Sequence, residues 1–359
     1  LAGTLMTLMA ERTAWAAPEI LAIGPDKVKS FTGKSPELKK RFSFFLNDTL
    51  RAEPHTLSED AESVLAASGN VLQQPNAIYS VLANAEMPHP TVKLKSGEKV
   101  TLTQAAYTKY RVSADRDDRK LVFDSFWGSF KTHENTYGAS LTTQVMGDVF
   151  YARARKFDTS LQAALFGDNM PESVYRTLVA QANKNLPTLH RYLKLRKELL
   201  GIKGDMQYYD IYPAMFKKPA VEKFSIEDSA KITLEIAKPY GDEYIDALKQ
   251  GLAGNWTNPY PQEGKSAGAY MNPGAYDVHP YLLLNHTDNF DSLSTFAHEW
   301  GHAVHSLLAN KAQPYELSSY STFTAETASI ANEMLLSDYM VKTATTKEEK
   351  LYYLGEALE

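Results

Sequence analysis

Five consecutive residues, His298-Glu299-Trp300-Gly301-His302, combine side chains and a spacing that suit metal chemistry. Histidines four positions apart lie one turn apart on the same face of a helix, where both imidazoles can bind one metal ion. Glu299 lies about 100° round the helix from His298, so its carboxylate can reach a water on the metal instead of the metal itself. Two ligands and a carboxylate base are what metal-assisted hydrolysis of a peptide bond requires.

A helix that could hold this motif is predicted from Asp291 to Ala309, because apolar residues recur through it at helical spacing. Asp288 and Asn289 are among the candidate caps before it, and Pro314 follows it. Gly301 in mid-helix costs about 1 kcal/mol relative to alanine, which suggests that another backbone or a substrate comes close there. The alternative interpretation is a pair of core histidines beside an incidental glutamate. The apolar positions are Leu293, Phe296, Ala297, Trp300, Val304 and Leu307.

A catalytic zinc site needs three protein ligands and one open position. The version with a third histidine is excluded, because His305 stands where its glycine would be and Leu308 where its last histidine would be. His305 is therefore expected to pack or to form a hydrogen bond. A carboxylate from a second helix remains as the third ligand, although Glu316 falls in a predicted loop that positions a ligand poorly. The downstream carboxylates are Glu316, Glu326, Glu333 and Asp338.

Glu326 is the best placed of these four carboxylates. It lies at the start of a helix predicted from Thr324 to Met340, after enough residues for a turn and an antiparallel return from the first metal helix. Glu333 lies two turns further along the same face. It either accepts an N–H of a metal-binding histidine, with help from Asn332, or is an ordinary surface glutamate.

Composition sets limits on the fold and on the partners. A chain of 359 residues is long enough for two domains or one large one, and it contains no cysteine, so any metal must be held by nitrogen and oxygen atoms. The net charge of -5 argues against nucleic acid as the main partner. No apolar run approaches the roughly 20 residues that a membrane-spanning helix needs. The segment from Leu1 to Pro18 is predicted to be a helix in preference to the tail of a signal peptide.

The remaining pattern predicts a mainly helical chain with little β-structure. Short alternating runs at Val92–Lys95 and Lys99–Thr103 predict a small hairpin. Residues 255–285 are rich in Gly, Pro, Asn and Tyr and include the apolar run Tyr281–Leu284. Strands are therefore expected just before the metal helix, where a short sheet can pair with an extended peptide.

These motifs taken together indicate a family resemblance. The pentad and the later segment Phe323-Thr324-Ala325-Glu326-Thr327-Ala328-Ser329 resemble the paired metal motifs of the thimet oligopeptidase superfamily, most closely those of its bacterial oligoendopeptidase F branch. Supporting similarities lie upstream in Lys265–Tyr270, Tyr281–Asn285 and Tyr209–Tyr212. The N-terminal half is similar to that branch's helical lobe, so the resemblance covers nearly the whole chain.

The resemblance implies a mainly α, zincin-like metallopeptidase with a small β-sheet beside the metal helix and a deep substrate channel. A helical N-terminal lobe that contains the small hairpin would occupy residues 1–165. A zinc peptidase catalytic domain would occupy residues 166–359.

The same resemblance assigns roles to individual residues. The ligands, for one zinc ion per chain, would be His298, His302 and Glu326. The general base that activates a zinc-bound water would be Glu299. The residues beside the bound peptide would be Gly268, Ala269 and Tyr270.

A protein of this kind would be a zinc-dependent endopeptidase that hydrolyses short oligopeptides in the cytoplasm, without nucleic acid or membrane as a partner. The family's oxyanion-stabilising histidine and tyrosines lie further downstream than this chain extends. A capping box at Thr346–Glu349 also opens a helix that has no stop signal before Glu359. We therefore expect a chain that is truncated at both ends, or one that is nicked so that a C-terminal fragment of the same protein completes its active site. A related zinc carboxypeptidase and a non-catalytic fragment that binds zinc and peptides stay open as alternatives.

Overall fold

The computed structural model describes residues 2–219, 223–262 and 264–358. The chain divides into two compact units, each built from three separate segments. The first unit comprises Leu1–Glu86, His133–Val179 and Gln313–Ser319, and the second comprises Met87–Thr132, Ala180–Ala312 and Tyr320–Glu359. The proposed domain boundary between residues 165 and 166 stays a prediction, because compactness alone does not show which segment folds independently.

Helices dominate the described residues, as the sequence predicts. The α-helices are, in chain order, α1 (Ala2–Thr13), α2 (Ala16–Ile23), α3 (Pro25–Lys34), α4 (Ser43–Arg51), α5 (Glu59–Ala67), α6 (Gly69–Leu72), α7 (Gln74–Val81), α8 (Gln104–Tyr110), α9 (Arg116–Thr132), α10 (Glu134–Ala154), α11 (Ser160–Phe166), α12 (Glu172–Leu199), α13 (Ile226–Ile236), α14 (Asp242–Ala253), α15 (Phe290–Ala312), α16 (Thr322–Thr343) and α17 (Lys347–Glu356). The strands are β1 (Thr91–Lys93), β2 (Lys99–Thr101), β3 (Thr257–Asn258), β4 (Tyr270–Asn272) and β5 (Tyr281–Leu283).

Short helical turns of other types supplement this set. Two are π-helical, Leu38–Phe42 and Leu82–Glu86. Four are 3₁₀ turns, Glu53–His55, Tyr208–Asp210, Lys238–Tyr240 and Tyr315–Leu317. None of the described helices is both long and apolar enough to cross a lipid bilayer.

Ion pairs connect distant segments within the first unit. Arg155 pairs with Glu62, a buried glutamate whose carboxylate also accepts the backbone N–H of Leu57 at 2.8 Å. Arg41 donates two hydrogen bonds to Glu316, the shorter at 2.6 Å. The sequence analysis rated Glu316 a poor candidate for a metal ligand. In the structure this glutamate forms an ion pair with Arg41.

The second unit contains both small sheets. β1 and β2 form the predicted hairpin, with Val92 opposite Val100, and its buried face packs with residues of α8 and α9. The other sheet has the order β3-β5-β4, in which β3 runs parallel to β5 and β4 runs antiparallel to it. Strands in the region before the metal helix are thus confirmed, and β4 lies at one edge of the sheet formed by these described strands.

Helix α15 lies between two apolar clusters of the second unit. One side contributes Phe296, Trp300 and Val304 to a cluster with α14 and β5. The other side contributes Leu293 and Ala297 to a cluster that includes residues of α16 and α17. Because both sides are buried, the helix that carries the pentad is rigidly placed relative to its neighbours in this unit.

The ends of α15 and α17 differ in how well the sequence predicts them. Asn289 caps α15 as expected, since its Oδ1 accepts the backbone N–H of Ser292 at 2.9 Å. The helix continues to Ala312, three residues past its predicted end. α17 has its predicted capping box but ends at Glu356, because the backbone there closes into a turn of Ala357 and Leu358. Leu1 and Glu359, which the sequence places in terminal helices, lie outside the described residues.

Candidate metal centre

Three donor atoms from α15 and α16 converge on one point. His298 Nε2 lies 3.1 Å from His302 Nε2 and 3.2 Å from Glu326 Oε2, and His302 Nε2 lies 3.3 Å from the same oxygen. These three residues are the group among the described ones whose geometry could hold a metal ion. The structure therefore brings together the three side chains that the sequence proposed as ligands.

The spacing of these donors fits a zinc ion. Zinc binds nitrogen and oxygen ligands at about 2.0–2.2 Å in tetrahedral geometry, so neighbouring ligand atoms stand about 3.3–3.6 Å apart. The three separations between donor atoms come within a few tenths of an ångström of that range. Two imidazole nitrogens and one carboxylate oxygen are a donor set of catalytic zinc, although cobalt and manganese accept the same atoms.

Glu333 fixes the orientation of the His298 ring. Its Oε1 lies 2.5 Å from His298 Nδ1, so the carboxylate favours a proton on Nδ1, and a neutral ring would then have its lone pair on Nε2. This hydrogen bond raises the pKa of His298, while burial acts in the opposite direction. This contact fits the histidine-orienting alternative that the sequence offered for Glu333, whose contribution to metal binding stays a prediction.

His302 is the more buried of the two histidines, with a side chain 11% exposed against 24% for His298. Burial and the neighbouring His298 lower its pKa. A lowered pKa keeps the imidazole neutral near pH 7, and neutral imidazole is the form that binds metal ions.

Glu326 is held by its own helix. Ser329, one turn further along α16, donates a hydrogen bond to Glu326 Oε2 at 2.9 Å, which is the oxygen that faces the histidines. The Glu326 side chain is half exposed, whereas Ser329 is fully buried. The serine therefore restricts a side chain that would otherwise have considerable rotational freedom.

Glu299 lies beside this cluster without joining it. The residue is 5% exposed, and its Oε2 atom is buried without a hydrogen-bond partner among the described residues. Burial raises the pKa of Glu299 to about 7, and a hydrogen bond from the backbone of Met271 partly opposes that rise. A buried carboxylate oxygen without a hydrogen-bond partner is uncommon in folded proteins.

Strand β4 runs alongside this part of α15. Met271 of β4 hydrogen-bonds to Glu299, and its Sδ atom lies 4.0 Å from Ser306 Oγ. The predicted peptide-contacting residues Gly268, Ala269 and Tyr270 immediately precede Met271. They therefore lie in the segment that leads to the residue in contact with Glu299, and their contact with a peptide stays a prediction.

Asn285 holds the segment that leads into β4. Its side-chain amide donates to the carbonyl oxygen of Ser266 at 3.0 Å and to that of Gly268 at 2.7 Å. Gly268 has a φ of +77°, a conformation that suits glycine. The sequence named Asn285 only as part of a resemblance and gave it no such role.

The other candidates of the sequence analysis have partners elsewhere. His305 stacks on Tyr320 with ring centroids 4.1 Å apart, as expected for a residue that packs. Asp338 pairs with Lys342 at 2.6 Å on the exposed side of α16. Neither residue belongs to the donor cluster.

Asn332 is fully buried and does not touch the donor atoms. Its amide nitrogen donates to the backbone oxygen of Ala297 at 2.8 Å, and its amide also contacts the hydroxyl of Tyr244. Sequence reasoning missed Tyr244, which is 88 positions from Asn332 and belongs to no motif. It also missed the role of Ser329, whose signal is the three-residue spacing from Glu326.

The chain matches known proteins along nearly its whole length. A model of peptidase family M3 matches residues 110–359, and a model described as oligopeptidase F matches residues 19–88. Oligopeptidase PepF of Bacillus subtilis is 38% identical over 358 residues, which cover 100% of this chain and 53% of that protein. Group B oligopeptidase PepB of Streptococcus agalactiae is 31% identical over 358 residues, covering 100% of this chain and 59% of that protein.

A solved structure shows the same fold. The crystal structure of oligoendopeptidase-F from Enterococcus faecium matches with a TM-score of 0.69 and 28% identity, over 98% of this chain and 56% of that one. The chain thus spans little more than half the length of the relatives that it matches. The resemblance inferred from the paired metal motifs is confirmed, and the chain belongs to peptidase family M3.

Proposed function

We propose that this chain carries the metal-binding and proton-transferring residues of a zinc-dependent endopeptidase that hydrolyses short oligopeptides. The observation that supports the proposal best is the convergence of His298, His302 and Glu326 beside a buried, unpaired oxygen of Glu299. Family membership agrees with it, since relatives that bear the names oligopeptidase and oligoendopeptidase align along nearly the entire chain.

The ligands and their supports can hold the ion in one geometry. Glu333 orients His298 and Ser329 orients Glu326, so the donor atoms of both ligands point to one position. Such preorganisation lowers the entropic cost of binding. When bound, zinc supplies a Lewis acid that polarises a peptide carbonyl and acidifies a water molecule.

Glu299 is the proposed proton carrier. Its Oε2 atom accepts a proton from the attacking water and then delivers that proton to the nitrogen of the leaving amine. The surrounding burial favours this exchange, because a carboxylate whose pKa is raised to about 7 can both accept and release a proton near neutral pH. Removal of such a general base costs about 10²–10⁴ in rate.

The peptide is proposed to lie along β4. This strand ends the described sheet on one side and reaches Glu299 through Met271. An extended peptide that pairs with a strand edge uses main-chain hydrogen bonds, which suits a peptidase that accepts many sequences. Gly268, Ala269 and Tyr270 would contact it there.

The test combines metal analysis with a peptide that is blocked at both ends and carries a quenched fluorophore. We expect one zinc ion per chain and cleavage that a chelator abolishes and added zinc restores. Cleavage only of peptides with a free C-terminus would favour a carboxypeptidase instead. Zinc binding without any cleavage would favour a non-catalytic metal- and peptide-binding chain, and the absence of bound metal would refute the proposal as a whole.

A further inference from the structure

Helices α15 and α16 pack antiparallel, and their polar contacts follow one register. His298 is opposite Glu333, and His302, one turn later on α15, is opposite Glu326, about two turns earlier on α16. The ligand triangle therefore depends on how α16 is placed along α15. A shift of either helix would change the distances from Glu326 and Glu333 to the two histidines together.

A buried polar contact joins the two helices at this register. Asn332 is fully buried in the second unit, and its Nδ2 atom donates to the backbone oxygen of Ala297 at 2.8 Å. Ala297 directly precedes His298, and Asn332 directly precedes Glu333. The hydrogen bond thus joins the two chain positions next to the pair that orients the first metal ligand.

A third helix completes this contact. The hydroxyl of Tyr244, on α14, lies 3.3 Å from Asn332 Oδ1 and 3.2 Å from Asn332 Nδ2. A phenol can donate to Oδ1 or accept from Nδ2, while the Ala297 carbonyl can only accept and so takes the amide nitrogen. The hydroxyl therefore ties α14 to the amide that joins α16 to α15.

Apolar packing alone would not fix the register so sharply. The cluster that α15 and α16 share includes Leu293, Ala297, Leu336 and Met340, and apolar contacts of this kind have no preferred direction. A buried hydrogen bond is directional. A shift between the helices that broke it would leave a buried polar group unpaired, which costs free energy.

We propose that Tyr244 and Asn332 form a positioning clamp that sets the register of α16 on α15 and thereby aims His298 and Glu326 at the metal ion. The proposal rests on the zinc site of the proposed function. Neither residue touches the donor atoms, so both would act only through the placement of His298 and Glu333.

The test measures metal affinity in four variants of the full chain. Tyr244→Phe removes only the hydroxyl, Asn332→Leu removes the grip on Ala297, and a double variant combines the two. Tyr240→Phe is the matched control, because Tyr240 packs its ring 4.5 Å from Tyr244 and its own ring is partly exposed. Zinc affinity is measured by competition with a chromophoric chelator, and the absorption spectrum of the cobalt-substituted protein reports on ligand geometry.

We expect Tyr244→Phe to weaken zinc binding about threefold to tenfold and Asn332→Leu about tenfold to a hundredfold. The zinc affinity of the double variant should match that of Asn332→Leu to within about twofold, because the Tyr244 hydroxyl acts through the Asn332 amide. The cobalt spectrum should change in the same variants and stay unchanged in Tyr240→Phe. Circular dichroism should show that each metal-free variant keeps its helix content.

Two results would overturn the clamp. One is unchanged affinity and an unchanged cobalt spectrum in Tyr244→Phe and Asn332→Leu, even where their melting temperatures fall, because that is the behaviour of residues that only stabilise the fold. The other is additive losses in the double variant. A failure of the zinc site itself is distinguishable, since the unmodified chain would then bind no zinc at all and His298→Ala would change nothing.

Discussion

The backbone of Ser329 lies directly against Gly301, so that a Cβ atom added at Gly301 would stand 2.8 Å from the Cα of Ser329. It would also stand 2.9 Å from the carbonyl oxygen of Ala328. The glycine inside the metal motif therefore makes room for the backbone of α16. Of the two partners that the sequence suggested for this glycine, a second backbone or a substrate, the structure identifies the backbone.

This contact predicts a specific sensitivity at Gly301. In Gly301→Ala the new methyl group must displace α16, which carries Glu326, so we expect a loss of about 1–3 kcal/mol in the free energy of unfolding. Zinc affinity should fall as well. Urea denaturation of the metal-free protein measures the first effect without a contribution from the ion.

Gly128 provides the control for that substitution. It lies inside α9, and a Cβ atom there would meet nothing within 4 Å. Gly128→Ala should therefore raise stability by up to about 1 kcal/mol, as helix propensity predicts. Equal effects of the two substitutions would mean that the close approach at Gly301 is not required.

The hydrogen bond between Glu333 and His298 predicts a loss of metal affinity without a loss of any ligand. We expect Glu333→Ala to weaken zinc binding about tenfold to a hundredfold, because the His298 ring would lose the partner that fixes its orientation and its proton. Glu333→Gln should lose less, since an amide oxygen still accepts the Nδ1–H. Chelator competition gives both values.

Asp338→Ala serves as the comparison for this series, because it removes a carboxylate from the same helix. Asp338 pairs with Lys342 and both side chains are more than half exposed. Its removal should leave zinc affinity unchanged. A Glu333→Ala protein with wild-type affinity would show that the short contact to His298 has no role in binding.

A substitution at Glu299 should separate the effect on the cleavage rate from the effect on zinc binding. Since its carboxylate is not one of the three converging donors, Glu299→Gln should keep its zinc while losing about 10²–10⁴ of the peptide-cleaving rate. His302→Ala should lose both the bound zinc and the peptide-cleaving activity. The pair of measurements is metal content after dialysis and the initial rate on the doubly blocked peptide. Full chelator-sensitive activity in Glu299→Gln would rule out the proposed base.

Local patterns predict much of this site, because they act within single helices. The spacing of His298 and His302 sets a shared face, and the apolar repeat around them predicts the buried sides of α15 that the structure shows. Position in sequence also singled out Glu326 among four carboxylates. These inferences needed only helix geometry and the preferences of zinc.

Contacts between distant segments could not be predicted in the same way. Tyr244 reaches Asn332 across 88 positions, and Met271 reaches Glu299 from a strand that no helical pattern indicates. Such contacts depend on how separate elements pack, which one sequence does not specify. The same reason explains why α15 extends to Ala312, since its last turns are set by packing as much as by propensity.

The second unit contains a buried ion cluster that is far in sequence from the metal ligands. This cluster predicts that the folded state loses stability in acid. Asp210 is fully buried and accepts hydrogen bonds from Arg116 at 2.8 Å and from Arg119 at 2.9 Å. Burial alone would raise the pKa of Asp210, but the hydrogen bonds from Arg116, the Gln207 backbone and Arg119 outweigh it and leave the pKa lowered. A carboxylate with a lowered pKa stabilises the folded state wherever it is ionised.

The sign of the effect follows directly. In the unfolded chain Asp210 binds a proton near pH 4, and in the folded chain it does so only at lower pH. The stabilisation that the ionised Asp210 provides is therefore fully present above about pH 4. It is lost as the pH falls through the folded pKa. Asp210→Asn should abolish this part of the acid dependence and cost about 3–5 kcal/mol at neutral pH, because it leaves the buried Arg119 without its charged partner.

Urea denaturation between pH 3 and pH 7 tests both statements. Asp117→Asn is the control, since Asp117 is 78% exposed and pairs with Lys95, so its removal should cost at most about 1 kcal/mol. The free energy of unfolding of Asp210→Asn could fall in acid as steeply as that of the unmodified chain. Another carboxylate would then be responsible for the acid dependence. If Asp210→Asn were as stable as Asp117→Asn at neutral pH, the buried Arg119 would not depend on this carboxylate for its charge balance.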